Sequence, residues 1–113
     1  EKAAIVQLSQ PVQEQYQYQP GDAEGLANLP LCVGSVQISV LLTERSNGTV
    51  RVSARSTKRY TINKLLAHFF NGGGHPQASG GTLRMPLHDA YEYTRRVLSQ
   101  FLEKEAQQEE EVL

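Results

Sequence analysis

Val36-Gln37-Ile38-Ser39-Val40-Leu41-Leu42, then Ser46-Asn47-Gly48, then Thr49-Val50-Arg51-Val52-Ser53-Ala54-Arg55-Ser56 is the stretch on which the fold turns. The first run begins in alternation, and its β-branched apolar positions on one face read as a strand. An Asn-Gly step between two such runs is a strong hairpin signal, because Asn and Gly both tolerate positive φ. The second run alternates cleanly, sending Val50, Val52 and Ala54 to one face and Arg51, Ser53 and Arg55 to the other.

Downstream of the hairpin, Ile62, Leu65, Leu66, Phe69 and Phe70 recur at the spacing of an amphipathic helix, with Thr61 as its N-cap and Asn71-Gly72 as its stop. The residues that follow, Asn71-Gly72-Gly73-Gly74-His75-Pro76-Gln77-Ala78-Ser79-Gly80-Gly81, hold five of the chain's nine glycines. Three bare glycines let a ligand reach the peptide groups, and successive N–H groups make an anion-binding concavity. Pro76 suits the first position of a short second helix facing back toward the glycines, with Gly80-Gly81 ending it. His75 at the rim adds a side-chain donor. Thr82-Leu83-Arg84-Met85 is a candidate short strand. A last helix starts near Pro86 and presents Leu87, Ala90, Tyr91, Thr94, Val97, Leu98, Phe101 and Leu102. It is expected to end or fray in the acidic tail.

Upstream, Ala3-Ala4-Ile5-Val6-Gln7-Leu8 reads as a first strand, although its composition does not separate strand from helix firmly. Ser9 to Tyr18 is polar and Gln-rich and reads as a loop closed by a turn at Pro20-Gly21. Asp22 to Leu29 reads as a short helix with Asp22 at the N-cap and Pro30 closing it. The order implies an α+β fold: one domain, a mixed sheet of about four or five strands with flanking helices. Residues 1–102 form the domain and 103–113 an acidic tail.

At 113 residues and 39% hydrophobic content the chain suffices for one modest core, without any long apolar run to cross a membrane. No secretory signal is visible, and a start at Glu1 without Met suggests an excised or processed piece. The single cysteine, Cys32, permits no internal disulfide and agrees with a cytoplasmic setting. The net charge of −1 conceals an asymmetry. Between Glu44 and Asp89 there is no acid, while Arg45, Arg51, Arg55, Lys58, Arg59, Lys64 and Arg84 are cationic. Such a segment around a glycine stretch invites an anion.

Several chemistries are excluded by spacing. No Gly-Lys-Ser/Thr follows the glycines, so they are not a P-loop. A helix rather than a strand precedes them, against a dinucleotide fingerprint. His68, His75 and His88 are not spaced as zinc ligands, and one cysteine cannot supply a thiolate pair. A hydrolytic triad through Ser53 or Ser79 lacks an acid to orient the histidine. A binding constellation remains: Arg55, whose planar fork matches phosphate oxygens, with Ser53 beside it and Ser56 following. Sequence alone leaves open whether residues 53–56 and 72–75 meet.

Val52-Ser53-Ala54-Arg55-Ser56, Thr61-Ile62-Asn63-Lys64-Leu65-Leu66-Ala67 and Gly72-Gly73-Gly74-His75-Pro76-Gln77-Ala78-Ser79-Gly80, taken in series, resemble the DHHA1-type C-terminal domain of the DHH phosphoesterase superfamily. Asp22 to Asn28 is similar to the segment upstream of the hairpin in the nanoRNase and phosphoadenosine-phosphate (pAp) phosphatase branch, with the exopolyphosphatase-related proteins nearby. Ala54 departs from the larger apolar residue commoner at its position.

The resemblance implies a manganese-dependent hydrolase of two domains. An N-terminal DHH domain of the same protein would hold two manganese ions and activate water, while this domain would close over a short oligonucleotide, pAp or related nucleoside phosphate. Carried over by position, Arg55, Ser56, Gly72, Gly73, Gly74 and His75 would grip the substrate phosphate, Asn63 being structural. The family's metal ligands have no counterpart here, so this part alone is expected to bind no metal and to catalyse nothing. A homodimer of the full-length protein is compatible with the resemblance. The alternative is a non-catalytic nucleic-acid-binding module like the C-terminal domain of alanyl-tRNA synthetase, a branch that generally lacks the histidine. With Phe69 and Phe70 assigned to the core, only Tyr60 is left as a stacking aromatic beside the basic segment, which favours a small ligand over a long strand.

Overall fold

The central hairpin forms because its alternation gives it one wholly apolar face to bury. In the computed structural model, which describes residues 2–19 and 21–112, β2 spans Ile38–Glu44 and β3 spans Val50–Ser56, joined by a turn with Gly48 at φ 82°. They pair antiparallel, with Val40 opposite Ala54 and Leu42 opposite Val52. β1, Ala3–Leu8, adds to β2 in parallel, so the strand reading of that run holds. β5, Ala78–Leu83, pairs antiparallel with β3, and β4, Gly73–His75, pairs antiparallel with β5 at the other edge. The result is a five-stranded mixed sheet in the order β1-β2-β3-β5-β4.

One face of this sheet carries the main core. Ile38, Val40, Leu42, Val50, Val52, Ala54 and Leu83 pack there against α3 (Asn63–Phe69) and α4 (Leu87–Val112). Ile62, Leu65, Leu66 and Phe70 supply the apolar stripe of α3, and Ala90, Thr94, Val97 and Leu98 that of α4. The opposite face is covered over β2 and β3 by α2 (Asp22–Asn28), followed by a 3₁₀ turn at Leu29–Cys32, while α1 (Gln10–Gln15) is tied to the ends of β1 and β2. Ala27 and Leu41, both fully buried, lie on that second side. The α+β class and a sheet of five strands agree with the sequence reading.

Four local expectations are corrected. Ser9–Tyr18 is not a plain loop: Ser9 caps α1, its Oγ accepting from Val12 N at 3.5 Å, and Pro11 occupies the first turn, where a missing N–H costs nothing. Gln13 then staples α1 across the sheet end, its amide donating to Leu8 O at 3.0 Å and Glu44 O at 2.7 Å. The expected turn at Pro20-Gly21 falls partly on Pro20, outside the described residues. Asp22 is the first helical residue rather than the cap, and its carboxylate accepts from Gln19 N. Thr61 does not cap α3, which begins without a side-chain cap after Ile62. Phe69 rotates out of the stripe and is 36% exposed.

The largest departure is at the glycines. Residues 76–79 form no helix. Pro76 and Gln77 are a two-residue turn between β4 and β5, with His75 opposite Ala78. Backbone bonds from Ile62 N to Pro76 O (2.8 Å) and from Ser56 N to Gln77 O (3.0 Å) hold the turn in extended geometry. α4, for its part, ends inside the acidic tail as expected, running through most of it to Val112.

Candidate functional site

The register assembles the site. Arg55 lies opposite Ala78, and Ala78 opposite His75, so the three form one row across β3, β5 and β4. Directly opposed residues share a face, which puts Arg55 and His75 on the side away from the main core. Two interstrand spacings set their Cα atoms roughly 10 Å apart. The next row is Ser53, Gly80 and Gly73, and the next Arg51 and Thr82. Small residues at Ala78 and Gly73 leave a low floor beside the two side chains, while Gly80 is covered by Arg51. The question left open by sequence is thus answered: 53–55 and 73–75 converge through β5, which runs between them.

Each candidate residue has a distinct setting. Arg55 is half-buried, and its Nη1 donates to Ala54 O at 2.9 Å, leaving the rest of the guanidinium fork for a ligand. His75 is exposed at the end of the edge strand. Gly73 and Gly74 lie in that strand, where alternate backbone groups fall outside the ladder. Gly72 is differently used. Its N–H donates to Leu66 O at 3.2 Å where the chain turns away from α3 through Asn71 (φ 53°), so its amide serves the helix stop. Ser56 sits on the core side, 7% exposed, and its hydroxyl donates to Tyr60 O at 2.8 Å. The geometry brings together Arg55, Gly73 and His75, with Gly74 adjoining, and places the Ser56 and Gly72 donors elsewhere.

Arg51 was missed as a site residue by sequence reasoning. It shares the face of Ser53 and Arg55, and its guanidinium lies over Gly80, where an added Cβ would stand 2.8 Å from Nη2. The signal was present in the Arg51-Ser53-Arg55 alternation and in the absence of a side chain at Gly80. Arg51, Ser53 and Arg55 also form one wall of a cleft of about 780 Å³ that continues toward α1, α2 and the β2–β3 turn. Among the described residues neither Arg51 nor Arg55 has an ion-pair partner. Arg59, by contrast, is drawn to the other side of the sheet. Its hydrogen bond to the Tyr60 hydroxyl, together with Glu109 at 2.7 Å, holds its guanidinium above the usual arginine value. Tyr60 itself is buried against Phe101, and the exposed aromatics among the described residues include Tyr16 and, less so, Phe69. Ser79 donates to His75 O and makes no nucleophile–base pair with the ring. No group of three metal-ligating side chains occurs among the described residues.

The DHHA1 domain family model matches residues 2–106. The chain belongs to the DHHA1 family. Its fold is shared by an exopolyphosphatase-related protein from Bacteroides fragilis, 34% identical, over 88% of this chain and 29% of that one, at a TM-score of 0.82. The C-Ala domain of Aquifex aeolicus alanyl-tRNA synthetase matches over 86% of this chain and 90% of its own, at 11% identity and a TM-score of 0.60. A pGpG-specific phosphodiesterase from Vibrio cholerae matches at 15% identity and a TM-score of 0.55, over 88% of this chain and 32% of that one. At such identities the last two likenesses concern the fold alone. This DHHA1 domain therefore spans about a third or less of the Bacteroides and Vibrio proteins. No curated protein matches it. No helix among its described residues is long and apolar enough to cross a membrane.

Proposed function

We propose that this DHHA1 domain is the substrate-binding part of a phosphoesterase, gripping the phosphate of a short oligonucleotide or nucleoside phosphate while a separate DHH domain supplies the metal centre. The observation that supports this reading most directly is the Arg55–Ala78–His75 row, a cationic fork and an imidazole on one open floor of small residues. Arg55 takes the phosphate through its guanidinium, the strand β4 offers backbone N–H groups, and His75 donates from the far side. Arg51 extends the positive wall. Ser56 supports the grip indirectly, by fixing the end of β3 to Tyr60 O.

In this reading the residues of this chain bind and orient the phosphate, and water activation is assigned to the separate DHH domain. Two manganese ions held by that facing domain would supply the Lewis-acid chemistry, while Arg55, Gly73 and His75 hold and orient the phosphate. This division of labour agrees with a chain that spans 29% of its Bacteroides relative. The cytoplasm, where such substrates are found, is the setting this reading favours.

The test uses the complete protein with a dinucleotide substrate. Arg55→Lys is expected to raise KM about tenfold, because a point charge replaces a two-pronged donor. His75→Ala is expected to lower kcat by about 100-fold, the usual loss when one preorganised donor to a developing anion is removed. Wild-type KM and kcat in both variants would remove the row from the site.

A further inference from the structure

Each carbonyl of the turn that carries His75 is held by a different part of the fold. Ser79 Oγ donates to His75 O at 2.7 Å, Ile62 N to Pro76 O at 2.8 Å and Ser56 N to Gln77 O at 3.0 Å. The last two bonds come from the two ends of the segment that joins β3 to α3. They are main-chain bonds, open to any residue with an N–H. The first depends on a side chain, and it acts on the peptide plane next to the imidazole. That plane, between His75 and Pro76, has no N–H because its nitrogen belongs to proline. Its carbonyl is therefore its one hydrogen-bonding handle, and Ser79 takes it.

Burial does not account for a serine at this position. Ser79 is 4% exposed and stands opposite Ala54, on the core-facing side of the sheet with Val52 and Val50. An alanine would fill that place without taking a hydroxyl out of water. The surroundings are also shaped for the hydroxyl. Gly74 lies opposite Ser79 across the β4–β5 pair, and a Cβ there would stand 3.3 Å from Ser79 Oγ and 2.8 Å from Ala78 O. Without that Cβ, the short path from Ser79 Oγ to His75 O stays clear.

We propose that Ser79 is a positioning residue for His75. By pinning the His75–Pro76 peptide plane, it fixes the base of the imidazole relative to Arg55 across β5, so that the ring meets the phosphate already ordered. The inference rests on the reading of His75 as a donor to the substrate phosphate, and it adds a residue that touches no substrate. Arg55 is anchored separately, its Nη1 donating to Ala54 O at 2.9 Å. Loss of the Ser79 bond should therefore slow the step in which His75 acts and leave capture by Arg55 intact.

The experiment is steady-state kinetics of the complete protein on a dinucleotide, comparing Ser79→Ala, His75→Ala and the double variant. Ser79→Ala is expected to lower kcat about 3- to 10-fold, the equivalent of one neutral hydrogen bond, with KM within about twofold of wild type. In the His75→Ala background the same change should have no further effect, because the group it positions is gone. Its melting temperature should stay within about 3 °C of wild type, since alanine suits the buried row. A loss that persists in the double variant, a larger fall in melting temperature, or a raised KM would make Ser79 merely structural and overturn the proposal. A slow His75→Ala beside a wild-type Ser79→Ala leaves the phosphate grip standing and removes the positioning role. Wild-type turnover in His75→Ala removes the grip itself, and with it any part for Ser79 in turnover.

Discussion

Gly72 and Gly25 make opposite demands on a methyl group. A Cβ on Gly72 would stand 1.8 Å from Gly80 O and 2.6 Å from Gly81 Cα, inside the backbone of β5. No rotamer relieves a backbone clash, so Gly72→Ala must part α3 from β5 and is expected to destabilise by at least about 2 kcal/mol. Gly25 lies inside α2 with nothing within 4 Å of an added Cβ. Gly25→Ala should therefore stabilise by about 0.5–1 kcal/mol, through a less flexible unfolded chain. Thermal melts of the two variants check both signs. The contrast also shows what the triglycine is for. Read from sequence, its bare backbone pointed to a ligand, yet Gly72 is required by packing, and Gly74 (φ 142°) would carry a Cβ 2.8 Å from Ala78 O. Only at Gly73 does an added Cβ meet nothing, and Gly73 is the one that shares the floor between Arg55 and His75. Arg55 and His75 stand out as candidates from residue chemistry and the family resemblance taken together. Arg51 was signalled only by its alternation with Ser53 and Arg55, and its place over Gly80 emerges once β3 and β5 pair.

At the level of elements, the hairpin, α3 and α4 were legible because each carries a long periodic signal: alternation in β3, a 3.6-residue stripe in both helices. The β4–β5 pair was not, since Gly73-Gly74 and Gly80-Gly81 have no side chains to alternate, and glycine is depleted from ordinary strands. Its strand character comes from outside, from Thr82 N donating to Phe70 O at 2.9 Å and from the close approach of Gly81 to Phe70. The C-terminal part of α4 presents the converse case. It is helical by propensity, rich in Glu, Gln and Lys, but beyond Leu102 it adds little to the core and is tied down chiefly by the exposed Arg59–Glu109 pair. Amide exchange along α4 is accordingly expected to divide near Leu102. Amides of residues 91–102 should be protected close to the global limit, and those of residues 104–112 should exchange at least about 100-fold faster. Uniform protection to residue 112 would mean that the extension packs more strongly than its contacts suggest.

For the whole molecule, the decisive feature is that charge and shape are segregated by face. The main core, α3 and α4 lie on one side of the sheet, and Arg59 is neutralised there by Glu109. The other side carries Arg45, Arg51 and Arg55 around one cleft that α1 and α2 close off at the β1–β2 end. A bounded cleft and a continuous groove respond differently to ligand length. A nucleic-acid-binding module would gain contacts with every added nucleotide, and its salt dependence would steepen with strand length by about 0.7 log units per phosphate neutralised. The bounded site saturates. In the complete protein, with metal chelated so that binding is read without turnover, affinity should therefore rise from mononucleotide to dinucleotide and then level. The slope of log affinity against log salt should hold at about −2 for both a dinucleotide and a twenty-nucleotide strand, as roughly three arginine contacts require. Arg51→Gln should flatten that slope by somewhat under one unit for either ligand, since it removes one contact that both share. A slope that keeps growing with length would instead assign the basic face to strand tracking.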